Sequence, residues 1–260
     1  MFGREVDLAI MAHAMVEHPR ECCGAVTADG YLRLENVSPE PERAFDCDEQ
    51  VADLMARGVA ILGLAHSHPA IVTPAAGFER TRTAEVTSDL RGPSAADMHQ
   101  QIAMDIPWGI VVTDGKDCLP VMWWGPGVPT PPLEGRDWRH GPSGSDGRGD
   151  CFALLRDYYA TAHGVTIPEF PRDDAYWLFG QDLITDHIAA VGFMPTDDPR
   201  PGDACMMKVD APVPNHVGVL LPGGLLLHHP GGRISRTHSA VAVMRKNNSI
   251  RWYRHARLCG

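Results

Sequence analysis

Arg148-Gly-Asp-Cys-Phe-Ala-Leu-Leu-Arg-Asp-Tyr-Tyr159 places a single thiol at the beginning of a helix. Gly147 and Gly149 close a loose approach, Asp150 is a good N-cap, and Phe152, Leu155 and Tyr159 recur at the spacing of one buried helical face. Cys151 therefore falls in the first turn. Unpaired backbone N–H groups and the positive end of the helix dipole favour a thiolate there, which predicts a lowered cysteine pKa. A thiolate within reach of a histidine is the nucleophile of a cysteine hydrolase.

The histidine is found downstream. Asn215-His216-Val-Gly-Val-Leu-Leu221 reads as a strand, Pro222-Gly223-Gly224 as a tight connection and Leu225-Leu-Leu-His228-His229 as the returning strand. A three-residue turn sets Leu221 against Leu225 and His228 across from Gly218. With a side-chain period of two, His216 and His228 then share one face and His229 points to the other; a slip of one residue exchanges His228 for His229. Thiol, base and a second imidazole to orient the base follow the usual triad logic.

Asp-Cys-Phe-Ala-Leu, the later Asn-His-Val-Gly-Val and a histidine beyond it resemble the NlpC/P60 family of cell-wall cysteine peptidases. The resemblance implies Cys151 as nucleophile, His216 as general base and His228 as the residue that orients it. Many members carry a tyrosine ahead of the cysteine that helps form the oxyanion site; Trp138 stands about there in this chain.

The whole sequence has 260 residues, a length that suits two domains of about 130. Its net charge is -10 with histidines neutral, and no Lys or Arg run exceeds two residues, so nucleic acid is an unexpected partner. Seven cysteines without a Cys-x-x-Cys argue against a disulfide framework or a thiolate zinc site and for synthesis in a reducing cytoplasm. Met1-Phe-Gly-Arg-Glu-Val-Asp lacks the pattern of a standard secretion signal, and no apolar run is long enough for a membrane span.

In the first half, a helix is expected from about Val6 to Val16, then strands over Glu21–Val26 and Tyr31–Val37, and a helix from about Asp48 to Gly58. Val59-Ala-Ile-Leu-Gly-Leu-Ala65 reads as a central, doubly covered strand, ending in His66-Ser67-His68-Pro69. Histidines two apart on a strand converge on one side. Pro93-Ser94-Ala-Ala-Asp97 opens another helix with Ser94 as N-cap, and Trp108–Thr113 and Pro120–Trp124 form a closing strand pair.

Pro19-Arg-Glu21-Cys-Cys-Gly, His66-Ser-His-Pro and Pro93-Ser-Ala-Ala-Asp97 resemble the JAB/MPN (JAMM) metallopeptidase domain. This implies His66, His68 and Asp97 as zinc ligands, Glu21 as general base and Ser94 as the residue that steadies the tetrahedral intermediate. Three protein ligands plus water form the catalytic zinc pattern, in which water is acidified to a pKa of about 7. The family usually spaces its histidine pair and serine closely, so Thr73 to Arg91 reads as an inserted loop or lid; Asp89 is the competing aspartate.

Gly125 to Gly135 is dense in proline and glycine and reads as an extended linker. The expected organisation is α+β in two domains. Residues 1–125 would be a JAB/MPN-like mixed sheet with flanking helices, 126–135 the linker and 136–260 an NlpC/P60 papain-like α+β domain. Within the last, Tyr176–Phe179 and Asp182–Val191 suggest helices, Pro201–Met207 begins the sheet, and Ile234, Val241–Met244 and Ile250–Tyr253 read as later strands.

The order of the two domains resembles the K-type tail assembly proteins of long-tailed phages and the peptidases of gene transfer agents. That resemblance implies a hydrolase at the virion tail tip that cleaves bacterial peptidoglycan beside other tail-tip or hub proteins. The alternative is a structural tail-tip adaptor or plug with vestigial sites.

Overall fold

The computed structural model describes residues 1–70, 92–247 and 249–259. The expected lid over Thr73–Arg91, with Asp89, lies outside the described residues. The chain divides into two compact units, one holding most of residues 1–129 and the other most of 130–260. Each is α+β and organised around its own sheet.

In the first unit the described strands are β1 (Cys23–Thr27), β2 (Gly30–Leu34), β3 (Gly63–Pro69), β4 (Trp108–Thr113) and β5 (Met122–Trp124), in the order β2-β1-β3-β4-β5. The β3–β4 pair is parallel and the others antiparallel, so the sheet is mixed. Strand periodicity sorts its side chains onto two covered faces. Helix α1 (Arg4–Glu17) lays Ile10 and Ala14 against Ala65, Val111 and Trp123; α2 (Asp48–Ala56) lays Val51 and Leu54 against Leu64, Trp108 and Trp124 on the other side.

The central strand begins later than its apolar run suggests. Val59 and Ile61 pack on the core ahead of β3, and the ladder runs on through the histidines, with His66 beside Ile110 and His68 beside Val112. On the other side Cys22 and Ser67 exchange hydrogen bonds, Cys22 N–H to Ser67 Oγ at 2.7 Å and Ser67 N–H to Cys22 O at 3.1 Å. These bonds hold the His-Ser-His segment extended. Helix α3 (Ala95–Met104) follows Ser94, whose Oγ accepts from Asp97 N–H at 3.1 Å while its own N–H donates to the Asp97 carboxylate at 2.8 Å, a reciprocal cap.

In the second unit, β6 (Phe193–Thr196), β7 (Ala204–Met207), β8 (His216–Leu221), β9 (Leu225–His228), β10 (Arg236–Ser239) and β11 (Arg251–His255) form an antiparallel sheet in the order β10-β9-β8-β7-β11-β6. Helix α4 (Cys151–His163) buries Phe152, Leu155 and Tyr159 in the cluster that contains Met206, Val217 and Val219. Full burial of one such side chain stabilises by about 1.5–3 kcal/mol. Gly164 ends α4 in the left-handed conformation (φ 62°) that glycine adopts without strain. Helix α5 (Leu183–Ala190) is capped by Asp182.

Two readings need correction here. Val241–Met244 is not a strand but lies within helix α6 (Ala240–Lys246): Ser239 caps it by accepting from Ala242 N–H, and Arg245 and Lys246 occupy its last turn. The sheet also gains β6, which holds Pro195; at the sheet edge a proline costs no ladder donor.

Candidate active site

The start of α4 is fixed by one buried carboxylate. Asp150 accepts from Ala153 N–H at 2.8 Å, from Gly141 N–H at 3.0 Å, and from the Arg172 guanidinium at 2.7 and 3.0 Å. Arg172 is itself 2 % exposed and also pairs with Glu169 at 2.6 Å. Burial alone would raise the Asp150 carboxyl, but the charges of Arg172 and then His140 hold it below its ordinary value. A charge this deep is sustained only by such pairing.

Strands β8 and β9 meet in the register expected from the three-residue turn, Gly218 opposite His228 and Leu221 opposite Leu225. His216 Nε2 lies 3.0 Å from His228 Nδ1, and His228 Nε2 lies 2.9 Å from His238 Nδ1 on β10. Two tautomer sets satisfy both bonds; in the one that serves a base, His216 donates to His228, which donates to His238. Nδ1 of His216 is then left as a lone-pair base. Burial first, then neighbouring imidazole charge, pushes His216 down to about 3; burial and then His238 push His228 down to about 4. Both imidazoles are neutral at pH 7.

Cys151 is at the first position of α4 and 5 % exposed. Its thiol is directed at the Asn215 carbonyl oxygen (4.0 Å), and it also meets the Val217 backbone N–H. The sulfur thus touches the main chain on both sides of His216, without a thiol–imidazole hydrogen bond in this geometry. The expected lowering of its pKa is reversed: burial, and after it the Asp150 charge, push the thiol up to about 12, against the weaker pull of nearby backbone N–H groups and Arg172. Desolvation outweighs the helix terminus because the charged form loses its water. The pair rests as thiol and neutral imidazole.

His66, His68 and Asp97 each bring one ligand atom within 4.8 Å of the others, and the two imidazole Nε2 atoms are 3.0 Å apart. Two imidazole nitrogens and one carboxylate oxygen match the donor set of a three-ligand zinc site with an open fourth position. Asp97 is steadied by Ser94, whose Oγ donates to its Oδ2 at 2.8 Å. Glu21 is not one of the three converging side chains. Continuing the β1–β3 register, in which Cys23 faces His66, by two residues sets Glu21 opposite His68 on the same sheet face.

Compared with known proteins, the chain is 30 % identical over 235 residues to tail tip assembly protein K of Escherichia phage N15, an alignment that covers 88 % of this chain and 85 % of that protein. The chain belongs to the tail tip assembly protein K family. Its counterpart in Escherichia phage lambda is 29 % identical over 198 residues, covering 75 % of this chain and 83 % of the lambda protein. The NlpC/P60 family model matches residues 135–257 of this K-family chain, and the model for prokaryotic homologs of the JAB domain matches residues 4–74. Among solved structures, NlpC1 from Trichomonas vaginalis superimposes with a TM-score of 0.33 at 19 % identity, over 46 % of this chain and 40 % of that one.

Other residues of the K-family site come into view only with the fold. Arg172 and Glu169 sit far from any motif, and His140 points Nδ1 to within 3.9 Å of Asp150 while Nε2 bonds the Arg172 carbonyl oxygen. His238 joins the histidine chain from a strand whose sequence, Arg-Thr-His-Ser, carries no signal of its own. A cavity of about 570 Å³ beside the histidines is lined by His216, His228 and His238 together with Arg233, Arg236 and Lys246.

Proposed function

We propose that the chain is a cysteine peptidase of the phage tail tip that opens peptide bonds in bacterial peptidoglycan, helping the tail through the wall beside other tail-tip proteins. The observation that carries this reading is Cys151 at a capped helix start, bracketed by the backbone on both sides of His216, with His216 tied to His228. The NlpC/P60 match over residues 135–257 and the K-family relationship support it.

In the proposed reaction Cys151 Sγ attacks the carbonyl carbon of a stem-peptide amide while its proton passes to His216 Nδ1. A C–S bond forms and the carbonyl π electrons move to oxygen. On collapse the C–N bond breaks, and the departing amine takes the proton from His216. Water then attacks the thioester carbonyl, giving a proton to His216; the C–S bond breaks, the sulfur takes that proton to restore the thiol, and the carboxylic acid leaves and ionises in solvent. His228 is a positioning residue that holds the His216 ring and its tautomer. Because the resting pair is uncharged, proton transfer accompanies attack; such bonds commonly tighten once substrate is bound. Arg233, Arg236 and Lys246 line the adjoining cavity, where the carboxylates of wall peptides would be held.

The test is peptide release from isolated cell walls. The expected result is release by the wild-type chain and none by Cys151→Ala; equal release by both, or by neither, rejects the assignment. Normal infection by a Cys151→Ala phage would instead favour a purely structural part in the tail tip.

For the JAB-like half of the chain, the reading is a zinc peptidase-like site in which His66, His68 and Asp97 hold the metal. A bound zinc would supply positive charge and an acidified water. Glu21 would accept the proton of that water, and Ser94, already bonded to Asp97, would steady the developing oxyanion.

A further inference from the structure

Acyl transfer through Cys151 generates negative charge on the substrate carbonyl oxygen, and a site that stabilises it needs donors aimed at that oxygen. The first-turn backbone N–H groups of α4 have no acceptors within the helix and supply one part. A second part stands beside the sulfur. Tyr176 is 3 % exposed, and its hydroxyl oxygen is buried without any hydrogen-bond partner. A buried hydroxyl left unpaired costs about 1–3 kcal/mol, so its retention calls for a reason.

Tyr176 and Cys151 line one cavity of about 20 Å³, along with Trp138, Arg172, Trp177 and Asn215. That volume suits a single oxygen-sized atom. Trp138, Trp177 and Asn215 also line the 570 Å³ cavity that holds the histidines, so the two spaces adjoin. Ala175, just before the tyrosine, adopts the left-handed conformation (φ 57°) that residues other than glycine rarely hold.

The geometry points to the Tyr176 hydroxyl as the side-chain oxyanion donor of this site, acting with the N-terminal backbone N–H groups of α4; this rests on the reading of Cys151 as nucleophile. Trp138, which sits where the sequence suggested a donor, instead makes a T-shaped contact with the His229 ring, at 5.1 Å and 78°. Burial, and next the Cys151 sulfur, raise the Tyr176 phenol, so the hydroxyl keeps its proton for donation. In the step itself the O–H bond stays intact: the phenol hydrogen-bonds the oxyanion as the C–S bond forms and releases it as the carbonyl re-forms.

The experiment compares the full-length wild type, Tyr176→Phe and Trp138→Phe in two assays: peptide release from isolated cell walls, and alkylation of Cys151 by iodoacetamide followed by peptide mass spectrometry. Alkylation uses the same sulfur but creates no oxyanion. Tyr176→Phe should lower the maximal release rate by about 10²–10³-fold, with the half-saturating wall concentration and the alkylation rate unchanged. Trp138→Phe, which keeps a ring in the cavity wall but removes the indole N–H, should lower the maximal rate far less than Tyr176→Phe does. A fully active Tyr176→Phe, a loss shared equally by alkylation, or a loss that follows Trp138→Phe instead overturns the assignment. A wild type that releases nothing overturns the nucleophile itself and this inference with it.

Discussion

Asp150 acts on Cys151 in two opposed ways. Its carboxylate caps α4 and pairs with buried Arg172, holding the nucleophile in place, yet its charge is the second cause, after burial, of the raised thiol pKa. Asp150→Asn separates these effects, since the amide oxygen still caps the helix while the charge is gone. Breaking one side of a buried pair costs about 3–5 kcal/mol. Glu169 still partners Arg172, so the lower end is expected, read as a shift in the urea midpoint. The thiol pKa should fall from about 12, seen as faster alkylation by iodoacetamide at pH 8. Slower alkylation with unchanged stability would contradict both halves of the argument.

The hairpin β8–β9 and its neighbour β10 form the base apparatus, and their histidines set the pH response. His216 must be neutral to accept the thiol proton. With its pKa pushed down to about 3 and that of His228 to about 4, peptide release should persist at pH 5 and fall only as pH drops through 4. An inflection between pH 6 and 7 would instead mean that an imidazolium takes part. Stability follows the same sign. Between the ordinary histidine value of 6.5 and about 3 the unfolded chain binds more protons than the folded one, so stability declines as pH falls across that window. His228→Ala should lower release more than His238→Ala, because His228 touches His216 directly. Local signals made much of this legible from the chain: Asp150 as a cap, the period of α4, and a Pro-Gly-Gly turn that sets the register placing His228 across from Gly218. Tyr176, Arg172 and His238 were not legible, because each arrives from a distant segment whose own sequence has no reason to mark it. The thiol pKa was misread for a related reason: the helix terminus is a local feature, but burial is a property of the folded unit.

At the scale of the molecule, two sets of side chains with different chemistry occupy one chain, and they should respond to different reagents. The Cys151 reaction contains no step that needs a metal, so a chelator should leave peptide release from walls unchanged. The His66, His68 and Asp97 donors should take up zinc in the intact chain, measurable by metal analysis after gel filtration. Because ligand bound only by the folded state adds stability, zinc at about 100-fold its dissociation constant should contribute about 2.7 kcal/mol and raise the melting temperature of the chain. His66→Ala and His68→Ala should abolish the uptake and the thermal shift together, whereas Glu21→Gln, which removes the base but no ligand, should keep both. Iodoacetamide treatment of Cys151 should leave zinc uptake intact. A zinc shift that survives both histidine substitutions would place the metal elsewhere, and wall digestion that stops with chelator would tie the two chemistries into one reaction. That second outcome is incompatible with a thiol whose proton acceptor is a neutral imidazole in a three-histidine chain complete within its own sheet.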